Sequence, residues 1–226
     1  MKEFFKGWNL YEKIMLTIGL MVTTLLSILT QSNFLAYING YCNIFDSILS
    51  TKGKISYYYF CIVATSIYIY ISFNEKYYSE VITSLFIVMP ITIYGYFNWK
   101  KNTSKDDEVK IKSLSNKEIL IPFLIQVAMS VPYYYMLKYF NNDLLITQTI
   151  NMCLTILAFY YLAKASPLAF IFFILSDIPK IVLWFIPVLQ KDFTNIPLLT
   201  SNIIYFINDC YGLINWAKIA KKQRNA

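Results

Sequence analysis

Histidine is absent from the 226-residue chain. Its absence removes imidazole acid–base catalysis, histidine metal sites and the usual serine and cysteine triads. Cysteine is sparse: Cys42, Cys61, Cys153 and Cys210 sit inside apolar segments, without metal-ligand spacing or the framework of a disulfide-stapled secreted domain. They read as small buried hydrophobes. Charge is scarce as well. Charged residues make up 15% of the chain against 57% apolar, and they gather in short stretches between apolar runs long enough to cross a bilayer. A chain of this length cannot build a core able to hide so many all-round apolar helices, so lipid is the expected solvent. The net charge of +7 does not point to nucleic acid, because the lysines fall in loops and form no stripe with aromatics interleaved. No cofactor, metal or nucleic-acid partner is expected, and no acid–base constellation marks an enzyme.

What is present is a series of hydrophobic spans. Eight are expected, over residues 14–30, 34–50, 55–73, 79–99, 119–137, 144–163, 166–190 and 197–217, giving an all-α integral membrane protein. The second span carries Asn39, Gly40, Asn43 and Asp46 and is expected to turn them toward other helices, since polar groups facing lipid are costly. The first follows Lys2 and Lys6 as a signal peptide would, but no small-residue cleavage site comes after it, so it is retained as a membrane helix. With both termini cytoplasmic, sixteen Lys and Arg residues fall inside and three, Lys76, Lys138 and Lys191, outside, which is the expected bias. The stretch 100–118 mixes charges of both signs and reads as a solvated cytoplasmic connection.

The most informative pattern is a repeat. Tyr94-Gly95-Tyr96-Phe97-Asn98-Trp99 closes the last span of the first half, and Tyr211-Gly212-Leu213-Ile214-Asn215-Trp216 closes the last span of the second. Lys54 and Lys164 each precede a corresponding span. Equal numbers of spans separate the matching elements, so the copies have the same orientation in the membrane. Two similar bundles can enclose a midplane site and rock about it, which favours a transporter, although a duplication without a pathway would look the same.

The runs Gly53-Lys54-Ile55-Ser56-Tyr57-Tyr58, Tyr94-Gly95-Tyr96-Phe97-Asn98-Trp99 and Asp177-Ile178-Pro179-Lys180-Ile181-Val182-Leu183-Trp184 resemble the nicotinamide riboside transporter family, PnuC, from about Phe34 to the end. The resemblance implies a SWEET-like fold: two parallel three-helix bundles with a linking helix, here with an extra N-terminal helix. The implied division is 1–33 for that helix, 34–99 for the first repeat, 100–143 for loop and linking helix, 144–217 for the second repeat and 218–226 for a basic cytoplasmic tail. It also implies facilitated diffusion of nicotinamide riboside with trapping by cytoplasmic phosphorylation, and a homotrimer. Where the family tends to carry Gly-x-x-Asn, this chain has Cys61-Ile62-Val63-Ala64-Thr65-Ser66, which keeps thiamine or another vitamin or nucleoside open as cargo. An accessory membrane subunit or scaffold is the reading from another class.

Asp177 lies near the centre of a long apolar span, where a carboxylate needs compensation. Lys180, three residues on, shares its helix face, so an intrahelical ion pair is one reading and a substrate ligand in a passage is the other. A cationic ring would be held well by aromatic faces, for which Trp184, Tyr68 and Tyr205 are candidates; packing and interfacial belts are the alternative. Asn98 and Asn215, at matching positions, are expected to line an inner gate or contact substrate, with Asn208 and Asp209 extending the polar wall. Asp46 is expected to reach water at the boundary. Pro90, Pro167, Pro179 and Pro187 are expected to interrupt helices, as hinges or static kinks.

Overall fold

The computed structural model describes residues 7–29, 34–74, 76–103, 108–142, 144–189 and 196–225, with the side chains of 183, 184, 187 and 196–198 left aside. Eight helices match the eight expected spans: α1 Leu10–Leu29, α2 Phe34–Thr51, α3 Tyr57–Asn74, α4 Tyr78–Lys101, α5 Asn116–Tyr139, α6 Leu145–Ala163, α7 Leu168–Leu189 and α8 Ile196–Arg224. Among the described residues there is no β-strand, only two isolated bridges. Helices α1, α4, α5 and α6 have the length and the mean hydropathy, 1.4 to 1.7, of membrane spans. The polar helices α2 and α8 are not among these four. Helix α8 continues past the expected end of its span into the basic tail, as far as Arg224.

Two prolines differ in effect. In α4 a π-turn, Ser84–Val88, immediately precedes Pro90. Proline offers no N–H to the preceding turn and its ring crowds the carbonyl there, and a widened turn relieves both. Pro167 interrupts nothing, because it sits just before the first residue of α7, where a missing N–H costs little.

The helices close a ring. Within the first half α2 packs on α3 and α3 on α4; within the second α6 packs on α7 and α7 on α8; the halves meet where α2 packs on α8 and α4 on α6. A half-turn that exchanges α2 with α6, α3 with α7 and α4 with α8 maps this ring onto itself. The turns after α2 and α6 fix the register. Gly53 (φ 66°) and Ala165 (φ 56°) are left-handed at the same place, and each donates its N–H back to Ser50 O or Leu162 O. Lys52 therefore corresponds to Lys164, not Lys54, and the pairing expected from the sequence is displaced accordingly.

The repeated motif is explained by what it touches across this symmetry. Gly95 leaves no room for a Cβ because the Tyr58 ring of α3 lies against it, and Gly212 none because Phe170 of α7 does the same. Trp99, fully buried, donates its indole N–H to Leu162 O at 2.9 Å, and Asn98 donates to Ala163 O at 2.8 Å. Reciprocally, Trp216 donates to Ser50 O at 3.0 Å and Asn215 to Thr51 O at 2.9 Å. Each half thus grips the end of the other half's first helix: the asparagines supply donors to Ala163 O and Thr51 O, and the indoles add a second donor to Leu162 O and Ser50 O, which already accept from the turns. The two indoles meet at 5.6 Å, between the T-shaped neighbours Tyr58 and Phe170.

The connection after α4 departs from expectation. Val109 is 1% exposed and donates to Gly53 O at 2.9 Å, while Lys112 donates to Ala165 O at 2.9 Å. Gln223 of α8 holds the same segment from both sides, accepting from Ile111 N and donating to Val109 O. The stretch 108–112 is therefore a strap across the two equivalent turns. The carbonyls of left-handed residues point away from their helices, and the strap supplies donors for them.

Helices α1 and α5 enter their halves alike. Asn9 and Glu12 form a reciprocal cap (2.8 and 2.9 Å), as Ser115 and Glu118 do (3.0 and 3.4 Å). Glu12 binds Lys52 at 2.6 Å in a buried pair, with Tyr211 donating to its other oxygen and Trp8 facing the ammonium. Glu118 lies in the field of Lys164, the counterpart of Lys52. Helix α1 packs on α2 and α8, and α5 packs on α6 while its Tyr133 and Leu137 cluster with Ile87 and Ile91 of α4. Removing one partner of the buried pair strands a charge. Glu12→Ala is expected to lower stability by about 3–5 kcal/mol, and Glu12→Leu combined with Lys52→Met to restore most of it, as read by thermal unfolding of the detergent-purified protein.

Candidate functional site

The polar groups that the ring carries between its halves form a seam. Asp177 of α7 is 2% exposed, and Lys180, one turn on, reaches its Oδ1 at 3.4 Å and Ser176 Oγ at 3.4 Å. Among the described residues no N–H or O–H donor meets its buried Oδ2. Asp209, on the adjoining α8, brings its carboxyl within hydrogen-bonding reach of Asp177, and Asp46 of α2 and Tyr205 of α8 stand in the same field. Two carboxylates this close repel each other unless a proton or a cation lies between them. From the first half, Tyr68 donates to Glu80 Oε2 at 3.1 Å, and Glu80 lies in the field of Lys180. Among the described residues the Lys180 ammonium therefore stands in the field of three acids, Asp177, Asp209 and Glu80, drawn from both halves.

The expected site residues divide into groups. Asp177 has both features anticipated for it, the ion pair and an open oxygen. Tyr68 joins the seam through Glu80, with 41% of its surface exposed. Asn208 is buried and its amide is committed to Ser47, donating to Oγ at 2.7 Å and to the carbonyl at 3.0 Å, beside a 10 Å³ cavity that Met15, Ile44 and Ile204 help to line. That space holds at most one water. Asn98 and Asn215 donate to main-chain carbonyls of the opposite half, so their amides hold the ring closed and the candidate site is built without them. The side chain of Trp184 lies outside the described residues. Asp46 is half-buried and shares the field of Tyr57, Cys61 and Tyr205.

Sequence reasoning overlooked Glu80 and gave Lys180 only the task of neutralising Asp177. The signal for Glu80 was available: it is an acid in the first turn of α4, and Tyr68 stands less than two turns from the end of the preceding span.

A ring of polytopic helices, duplicated about a half-turn, with a buried charged seam between the halves, defines a membrane transporter architecture. Residues 33–218 match the nicotinamide mononucleotide transporter family, and the chain belongs to that family. It is similar to the nicotinamide riboside transporter PnuC of Neisseria mucosa, with 26% identity over 98% of this chain and 86% of that protein. The nicotinamide riboside transporter PnuC of Haemophilus influenzae is 25% identical over 98% of this chain and 96% of its own length. A crystal structure of the vitamin B3 transporter PnuC superposes with a TM-score of 0.80 at 26% identity, covering 97% of this chain and 96% of that one.

The two amides of the clasp yield a direct check. Asn98→Ala and Asn215→Ala are each expected to lower stability by about 1–3 kcal/mol, because a buried carbonyl loses its donor, while the KM for transported substrate stays unchanged. Thermal unfolding and uptake kinetics on the same preparations measure both; a raised KM at unchanged stability would return these residues to the substrate site.

Proposed function

We propose that this chain carries nicotinamide riboside by facilitated diffusion along the interior of the six-helix ring. The observation that supports it most is Asp177, a buried carboxylate with one oxygen on Lys180 and the other facing no described donor but lying close to a second acid, Asp209, in a chain of this transporter family. A substrate with a cationic pyridinium supplies the positive charge that the open oxygen and Asp209 lack, and aromatic rings such as Tyr205 bind such a cation by their faces. The sign of the seam favours the riboside over the mononucleotide. Asp177, Asp209 and Glu80 share the field of Lys180, with Asp46 beside Asp209, and the sole arginine, Arg224, lies in the last turn of α8. A phosphate would meet repulsion where it needs paired arginine or lysine donors. Thiamine is the second reading, because its thiazolium cation satisfies the same carboxylates.

Both termini lie in the cytoplasm on the charge bias of the loops, so the Trp99–Trp216 contact and the strap 108–112 seal the cytoplasmic mouth, and the seam sits toward the outer side. Phosphorylation of the cargo inside makes uptake effectively one-way. The chain works as a homotrimer in the cytoplasmic membrane, with exposed apolar faces such as Leu120, Leu124 and Val127 of α5 meeting lipid or a neighbouring subunit. No chemical conversion of the cargo is assigned to it.

Purified protein in liposomes is expected to equilibrate labelled nicotinamide riboside down its gradient with neither ATP nor a proton gradient. Absence of flux above empty liposomes sinks the proposal, and movement of thiamine instead transfers the cargo. Asp177→Asn is expected to cut kcat/KM about tenfold or more, and Asp46→Asn much less, since only the former removes a charged ligand; equal effects would remove Asp177 from the site.

A further inference from the structure

Threonines in these helices turn their hydroxyls back on the main chain. Thr17, Thr24, Thr83 and Thr149 each donate to the carbonyl four residues earlier, at 2.7 to 2.9 Å. Thr155, in the middle of α6, does not: among the described residues its buried Oγ1 has no partner, and neither does Oδ1 of Asn151, one turn before it. Leaving such atoms unmet costs stability, and an apolar residue of the same shape would avoid that cost.

The register set by the two turns makes Asn151 and Thr155 the counterparts of Asn39 and Asn43 in α2. There the polar groups are engaged. Asn39 donates to Ala64 O of α3 at 2.8 Å, and Asn43 donates to Asn39 Oδ1 at 2.7 Å. The same face in the second half is therefore built of polar side chains but lacks the closing bonds.

That face is turned to α7. Phe159 and Tyr161 flank it on either side, and both touch α7, Phe159 against Phe173 at 5.5 Å and Tyr161 against Phe172 at 5.2 Å. Helices α6 and α7 are consecutive and antiparallel. Counting one turn from the Phe159–Phe173 contact along both brings Thr155 level with Asp177, whose Oδ2 is the third buried unpartnered atom of this region. Three open oxygens from two adjoining helices thus lie at one depth, or within a turn of it.

We infer that Asn151 and Thr155 are substrate-binding residues that read the vicinal hydroxyls of a ribose, completing on α6 the site that Asp177 supplies on α7. A carboxamide oxygen accepts from one hydroxyl, the threonine hydroxyl both donates and accepts, and the carboxylate oxygen accepts from a second. These are the complements of a diol, and they discriminate a ribosylated cargo from a bare cationic ring, because a site built to hydrogen-bond hydroxyls rejects an analogue lacking them. This inference rests on the reading of the cargo as a nucleoside.

The test uses the full-length protein in detergent and in liposomes, with nicotinamide riboside as probe. Thr155→Val and Asn151→Leu keep shape and remove the open groups. Each is expected to leave the ligand-free Tm unchanged or raised, to abolish most of the riboside-induced Tm shift, and to raise the uptake KM by about five- to tenfold. As the structural control, Asn39→Leu is expected to lower the ligand-free Tm. Wild-type protein that neither binds nor moves the riboside overturns the proposed cargo. Wild-type protein that does both, with the Thr155→Val and Asn151→Leu variants keeping its KM and Tm shift, overturns the inference alone. A Tm several degrees lower without ligand in those two variants also overturns it, by revealing structural partners for these atoms.

Discussion

The reciprocal grip of one half on the other half's first helix is the constraint on which the remaining structure depends. Trp99 and Asn98 close on the end of α6 while Trp216 and Asn215 close on the end of α2, and the two indoles touch between them. Helix–helix association in lipid gains little from the hydrophobic effect, so packing and hydrogen bonds must hold the ring. Here both are concentrated at one end. Fully buried aromatic rings pack around four bonds to carbonyls in the last turns of α2 and α6, and the strap 108–112 ties down the two adjacent turns.

Toward the other end the character of the ring changes from satisfied to unsatisfied. Among the described residues Asp177, Asn151 and Thr155 keep oxygens without donors, and carboxyls from α4, α7 and α8 share the field of one ammonium. A protein that closed every polar bond along its interior would be more stable and would have nothing to offer a solute. The tight packing at one mouth and the open hydrogen bonding at mid-depth describe a passage closed on one side, and alternating access requires the clasp there to part.

Much of this was legible in the chain. The eight spans followed from hydropathy because lipid forces every backbone bond inside a helix. The Tyr-Gly-x-x-Asn-Trp repeat revealed the duplication, but not what the residues do. Glycine's task, admitting the rings of Tyr58 and Phe170, depends on neighbours far away in sequence. The amides of Asn98 and Asn215 looked like ligands because an asparagine at a helix end has the same appearance whether it meets a carbonyl or a solute. The correspondence of Lys52 with Lys164 was hidden by small differences in turn and loop length, and became visible only through Gly53 and Ala165. With it came the counterparts Asn39 and Asn151, which sequence reading never paired. Lys180 and Glu80 escaped for a related reason: their partners stand on other helices.

The matching caps of α1 and α5, each with a glutamate that pairs with or lies in the field of the lysine following the next helix, bear on how such a chain inserts. A module with an odd number of crossings emerges on the far side of the bilayer, so a tandem copy would enter upside down unless an added crossing restored its sense. A module of four returns to the side it left. Counted with its own leading helix, each half of this chain is such a module, and α5 is then no spacer between copies but the opening crossing of the second, just as α1 is of the first.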